Sequence, residues 1–125
     1  MPTTIPIFRI FDMAKAAEFY IDWLGFRINW GDTVDAHAPL YLEIQLHDIR
    51  IHLSEHHGDC SPGARIMVTD FDGLESFHKT LIDKDYKYNK PGIGPAFWDD
   101  DSIVTEVIDP FGNRITFTGK RITNA

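Results

Sequence analysis

Two stretches of this chain are degenerate copies of each other, and a duplication narrows the possible folds more than any composition does. IFRIFD, at Ile7–Asp12, is β-prone and ends in an acidic residue suited to cap a helix. RIMVTD, at Arg65–Asp70, does the same, with Asp12 and Asp70 separated by 58 positions. At that offset Phe19 falls on Phe77 and Leu24 on Ile82. After Asp12, the residues Ala16, Phe19, Tyr20, Trp23 and Leu24 recur at helical spacing, and Gly25 ends the helix. After Asp70, Leu74, Phe77, Leu81 and Ile82 form the matching stripe.

Each copy continues into strands. Leu40, Leu42, Ile44 and Leu46 alternate with Tyr41, Glu43 and Gln45, the pattern of a half-buried strand. A turn at His47-Asp48 leads into Ile49–Ser54. In the second copy Ser102–Ile108 reads as a strand and DPFGN, at Asp109–Asn113, as a turn. Arg114-Ile115-Thr116-Phe117 then matches Arg50-Ile51-His52-Leu53 at an offset of 64. Each half therefore reads as strand, helix, then three strands. The expected class is α+β: one domain over residues 1–125, with modules at about 1–60 and 61–125.

Composition excludes more than it identifies. Twelve basic against nineteen acidic residues give a net charge of −7, the wrong sign for a nucleic-acid footprint. The apolar runs are only a few residues long, so no membrane span is expected. The opening MPTTIPIFRIFD lacks a basic segment followed by an apolar one, so no secretory signal is expected either. A single cysteine, Cys60, allows no intramolecular disulfide, and the expected location is cytoplasmic.

The duplicated βαβββ pattern, the segment DMAKAAEFYIDWLGF and the closing VIDPFGNRITF together resemble the glyoxalase/bleomycin-resistance, or vicinal oxygen chelate, superfamily. The chain is most similar to its bleomycin-resistance branch. That resemblance implies two βαβββ modules forming a cup-shaped mixed sheet, with helices outside and the ligand inside. Enzymes of the family hold a divalent metal through the first and last strands of each module. The equivalent positions here are Pro6, His52, Ala64 and Thr116.

HLSEHHGDC, at His52–Cys60, gathers three histidines, two carboxylates and the cysteine, which is the chemistry of a transition-metal site. Of the four equivalent positions only His52 offers a good ligand: proline and alanine have no donor atom and a threonine hydroxyl is a poor one. Gly58, Pro62 and Gly63 mark the following segment as the loop between modules, so His56, His57 and Cys60 read as loop residues. The expectation is no metal and no cofactor, leaning against an enzyme. The alternative is a divalent-metal-dependent lyase, dioxygenase or isomerase that adds Glu43 or His37 to His52.

Alternation puts Tyr41, Glu43, Gln45, Arg50, His52, Ser54, Arg114, Thr116 and Thr118 on one face, opposite the apolar residues of the same strands. That face fits a solvated ligand groove and equally an ordinary exposed sheet face. PGIGPAFWDDDS places Phe97 and Trp98 on a Gly/Pro-rich loop ahead of Asp99, Asp100 and Asp101. Exposed aromatics there suit a stacked ligand or a dimer interface. The chain has Trp98-Asp99 where family members often carry Trp-Gly, and a longer acidic run before the turn.

The resemblance implies a homodimer that sequesters a planar, cationic, bleomycin-like antibiotic without chemistry. Phe97 and Trp98 would stack the ligand, Glu43 with Asp99 or Asp100 would balance its charge, and Tyr41 and His52 would line the groove. Trp23 is expected in the core or an interface, and Trp30 at the groove's border.

Overall fold

The computed structural model describes residues 2–31 and 40–121. Two compact units divide the chain: Met1–Ala64 with Asp109–Asn113, and Arg65–Ile108 with Arg114–Ala125.

In the first unit β1 (Ile7–Arg9) leads to Asp12, whose carboxylate accepts from the backbone N–H of Lys15 and caps α1 (Met13–Ala16). The helix then widens into a π-helical segment, Ala17–Trp23, with the Leu24 N–H reaching back five residues to Phe19. The wider winding buries Phe19, Tyr20, Trp23 and Leu24 together, whereas the sequence spacing predicts an α-helix throughout. Gly25 closes the segment at φ 91°, a conformation glycine adopts without steric cost.

Then come β2 (Arg27–Gly31), β3 (Tyr41–Leu46) and β4 (Ile49–Ser54), in sheet order β1-β4-β3-β2. β1 runs parallel to β4, and the other pairs are antiparallel. Phe8, Leu42, Ile44, Ile51 and Leu53 pack with the helical aromatics in the core. Burying several such side chains contributes roughly 1.5–3 kcal/mol each.

The Asp109–Asn113 turn belongs to this unit, and its buried polar groups are satisfied within it. The buried Tyr20 hydroxyl donates to Asp109 at 2.7 Å, and the Asn113 amide donates to the Arg9 carbonyl at 2.8 Å.

The second unit repeats the order as β5-β8-β7-β6, built from β5 (Arg65–Val68), β6 (Gly94–Ala96), β7 (Asp99–Ile108) and β8 (Arg114–Lys120). Its helix α2 (Leu74–Asp83) buries Leu74 and Leu81.

Two sequence expectations are corrected here. Asp70 does not cap the second helix: it sits at φ 57°, and α2 starts four residues on, behind Gly73. The chain stays with the sheet because the Phe71 N–H pairs with the Thr118 carbonyl at 2.9 Å. The Phe71 ring packs meanwhile against Phe77 and Phe117, at 4.8 and 5.4 Å.

Phe97 and Trp98, expected on a Gly/Pro-rich loop, form the two-residue turn of the β6–β7 hairpin, and Asp99–Asp101 belong to β7 rather than preceding it. The acidic run is held in the sheet by the Arg121 N–H donating to the Asp101 carbonyl at 2.8 Å, while the Asp99 carboxylate accepts from the Asp101 N–H and the Ser102 hydroxyl, at 2.9 and 2.8 Å.

Gly119 lies where the start of α2 presses on β8. A Cβ there would meet the Phe71 carbonyl oxygen at 2.6 Å and the Leu74 Cβ at 3.1 Å. Backbone cannot yield as a side chain does, so Gly119→Ala is expected to cost about 1–3 kcal/mol, read as a lowered urea midpoint. An unchanged midpoint would contradict this packing.

Candidate functional site

The polar face of the first sheet is built by register. Glu43 pairs with His52 across β3–β4, and Tyr41 pairs with Ser54, so Tyr41, Glu43 and His52 share one face. Alternation predicted that much. It did not predict what β2 adds. The β2–β3 register shifts between Ile28 and Trp30, so Asn29 is an extra residue in a bulge. Both consecutive side chains, Asn29 and Trp30, therefore reach the site.

The outcome is a connected polar chain. The Tyr41 hydroxyl lies 2.6 Å from His52 Nδ1, and His52 Nε2 lies 3.0 Å from Glu43 Oε1. Asn29 Nδ2 donates to Glu43 Oε2 and to Gln45 Oε1, each at 2.8 Å. Arg50 stands 3.9 Å from the same carboxylate. The bond from Asn29, then the one from His52, hold the Glu43 carboxyl below its usual range. Partial burial, then the nearby Asp59 and Cys60, push the Tyr41 phenol up.

The Trp30 ring lies nearly parallel to Tyr41, at 6.0 Å and 11°, and meets His52 edge-on at 5.1 Å. About half of Trp30 stays exposed, at 49%. Its indole is thus an open aromatic face beside a charged carboxylate, a combination that attracts planar cations.

The other predicted residues lie in the second unit. Phe97 is 96% exposed at the hairpin tip, with the Trp98 ring 4.8 Å away and edge-on. Asp99 and Asp100 follow on the exposed start of β7. The Asp101 N–H, then the Ser102 hydroxyl, keep the Asp99 carboxyl below its usual range. The predicted residues thus form two groups, Tyr41–Glu43–His52 on the first sheet and Phe97–Asp100 on the hairpin.

The second sheet carries a counterpart of Glu43 that the sequence reading missed. Glu106 pairs with Thr116, accepts its hydroxyl at 2.9 Å, and is flanked by Arg65 at 3.0 Å and Arg114 at 3.4 Å. Strict alternation through SIVTEVI, with the Arg50/Arg114 repeat, was the signal available for it. Elsewhere in this unit a cleft of about 250 Å³ is lined by Glu75, His78, Pro95, Ile103 and Arg121, none of them anticipated.

The metal chemistry of related enzymes does not fit these side chains. Pro6 sits beside His52 through a backbone bond, its carbonyl accepting the His52 N–H at 3.0 Å. The Cα strand partners are Ile7 for His52 and Met67 for Thr116, an alkyl side chain without a donor atom and a soft thioether. Both ring nitrogens of His52 are already engaged, by Tyr41 and Glu43. Among the described residues no three His, Cys, Asp or Glu side chains are grouped to hold a metal ion. His37, the other ligand considered from the sequence, lies outside the described residues. His56 and Cys60 are half-buried and His57 is exposed, all in the loop after β4.

A duplicated β-α-β-β-β module, with a polar, aromatic-edged sheet face in the first copy, defines a class of small mixed-sheet proteins. A family model described as Glyoxalase superfamily protein matches residues 1–124, and the chain belongs to that superfamily. Solved structures agree in fold. A bleomycin resistance determinant encoded on the transposon Tn5 superposes with a TM-score of 0.70 at 18% identity, covering 98% of this chain and 100% of its own.

A bleomycin-binding protein complexed with bleomycin gives 0.67 at 18% identity, with 97% and 100% covered. A glyoxalase family protein from Bacillus anthracis gives 0.66 at 17% identity, with 97% and 96% covered. No curated protein sequence matches the chain. Among the described residues no helix is long and apolar enough to cross a membrane.

Proposed function

We propose that this protein is a cytoplasmic, homodimeric binding protein that sequesters a planar, cationic antibiotic of the bleomycin kind without chemical change. The observation that carries the reading is the half-exposed Trp30 indole, parallel to Tyr41 and on the residue paired across the strands with Glu43. A flat heterocycle stacked there would face an aromatic surface and a fixed negative charge at once, and each favours a cationic ring. Phe97 and Trp98 offer a second aromatic surface, with Asp99 and Asp100 as its carboxylates. A ring 96% exposed costs desolvation unless a ligand or a second chain covers it, which supports both ligand and dimer.

The reading is also supported by the similarity in fold to proteins described as binding, or conferring resistance to, bleomycin. The site's own chemistry is that of recognition. His52 is tied on both nitrogens, and the neighbouring phenol is held in its neutral form.

Tryptophan fluorescence tests this, because Trp30 and Trp98 both lie in the proposed surfaces. Titration with a bleomycin-class drug is expected to give a saturable change. No saturation up to high micromolar drug would remove that ligand class. Light scattering is expected to return twice the mass of one chain, and a monomer mass would remove the homodimer.

A further inference from the structure

The hydrogen bonds around His52 have a direction, and the direction follows from Glu43. A carboxylate can only accept, so the His52 Nε2 that faces it at 3.0 Å carries a proton. In a neutral imidazole the other nitrogen must then be a lone pair. His52 Nδ1 therefore accepts, and the hydroxyl 2.6 Å away on Tyr41 donates to it. Once that phenolic proton is committed inward, Tyr41 Oη has only lone pairs left to present. The carboxylate's acceptor character is relayed through the imidazole to the oxygen beside the Trp30 ring.

We propose, building on the ligand-binding reading above, that Tyr41 is a specificity-determining residue: its oxygen is held as an acceptor, so the first sheet selects planar ligands carrying an N–H donor at their edge. Arg50 is a charged donor on this face, but it stands 3.9 Å from the Glu43 carboxylate, and the groups nearest Tyr41 point the same way as its oxygen. Glu43 can only accept, and the Gln45 carbonyl and Glu43 together occupy the Asn29 amide. A planar ligand whose edge bears only carbonyl or carboxylate oxygens would meet acceptors and lose its own hydrogen bonds to water.

Among the described residues, the charged and titratable groups around this relay are few. β3 supplies Tyr41 and Glu43, and β4 supplies Arg50, 3.9 Å from Glu43. Pro6 and the first residue of β1, Ile7, neither of them titrating, lie beside His52, and β2 presents the neutral Asn29 and Trp30. From the loop after β4, the His56 ring approaches Tyr41 at 6.4 Å, while Asp59 and Cys60 act on its phenol. None of these groups supplies Nδ1 with a different donor.

The test compares two planar cations of similar size on the full chain by calorimetry. 9-Aminoacridine carries N–H donors, and 10-methylacridinium carries none. At pH 8, 9-aminoacridine is expected to bind about tenfold tighter or more, the worth of one hydrogen bond to a charged donor. Tyr41→Phe, checked for native circular dichroism, is expected to bring the ratio within about twofold. If that variant does not fold, the wild-type ratio decides.

Equal binding of the two cations to the wild type at pH 8 would overturn the role of Tyr41 while leaving the aromatic wall as a ligand surface. A ratio that persists in Tyr41→Phe would do the same. Saturable binding by neither cation would overturn the ligand-binding reading, and the role of Tyr41 with it.

Discussion

Asp109→Ala is expected to lower the unfolding free energy by about 3–5 kcal/mol, more than any other single substitution considered. The Asp109 carboxylate is the hub of the DPFGN turn. One oxygen accepts the backbone N–H groups of Phe111 and Asn113, at 2.9 and 2.8 Å. The other accepts the Tyr20 hydroxyl and the Asn113 amide, at 2.7 and 2.8 Å. Tyr20 is 0% exposed and Asn113 1%, so water cannot replace what alanine removes.

Each donor left unpaired in such surroundings costs about 1–3 kcal/mol, and the losses here share one residue. Tyr20→Phe deletes only one of the four bonds and is expected to cost about 1–2 kcal/mol. Urea denaturation of both variants checks the order. Equal midpoints would mean that the carboxylate is not the hub.

The same group predicts a pH dependence. Burial holds the Asp109 carboxyl above its ordinary value of 3.8, although its four donors pull the other way. The native state then keeps the proton at pH values where the unfolded chain has lost it. Its contribution to stability is therefore full below about pH 4 and declines as pH rises through the raised native value. Asp109→Ala is expected to remove that segment of the stability–pH curve.

The largest effect on binding is expected at Trp30. Trp30→Ala should weaken a stacked planar cation by about 10–100-fold, the loss of an aromatic partner next to a retained carboxylate. Stability should change little, by about 1 kcal/mol or less, because the indole is 49% exposed. Calorimetric titration of the variant against the wild type measures the first quantity, and thermal unfolding the second. An unchanged affinity with an unchanged fold would move the ligand off the first sheet.

What could be read from the sequence divides along physical lines. The duplication was legible because Asp12, Gly25, Arg50/Arg114 and the DPFGN turn are local signals whose chemistry acts at their own positions. Tyr41, Glu43 and His52 were legible as one face because strand alternation is obligatory. Asn29 was not, since a bulge reverses the facing of one residue and depends on pairing with β3. Glu106 lay within the Ser102–Ile108 strand read from the sequence, but its pairing with Thr116 and its ion pairs with Arg65 and Arg114 depend on strand register.

Asp70 misled for a related reason. An acidic residue after a β-prone run looks like a cap, but long-range pairing of Phe71 with Thr118 holds the chain on the sheet just past Asp70, which itself bends at φ 57°. The Tyr41–His52–Glu43 relay was visible as residue types only. Its direction emerges once distances fix which atom faces which.

The most direct test is calorimetric titration of the full chain with a bleomycin-class drug, followed by mass spectrometry of the recovered ligand. The expected result is saturable binding of one drug per chain, weakened in Trp30→Ala, with the drug recovered at unchanged mass. A drug that shows no saturable heat up to high micromolar concentration, or one recovered chemically altered, would contradict sequestration.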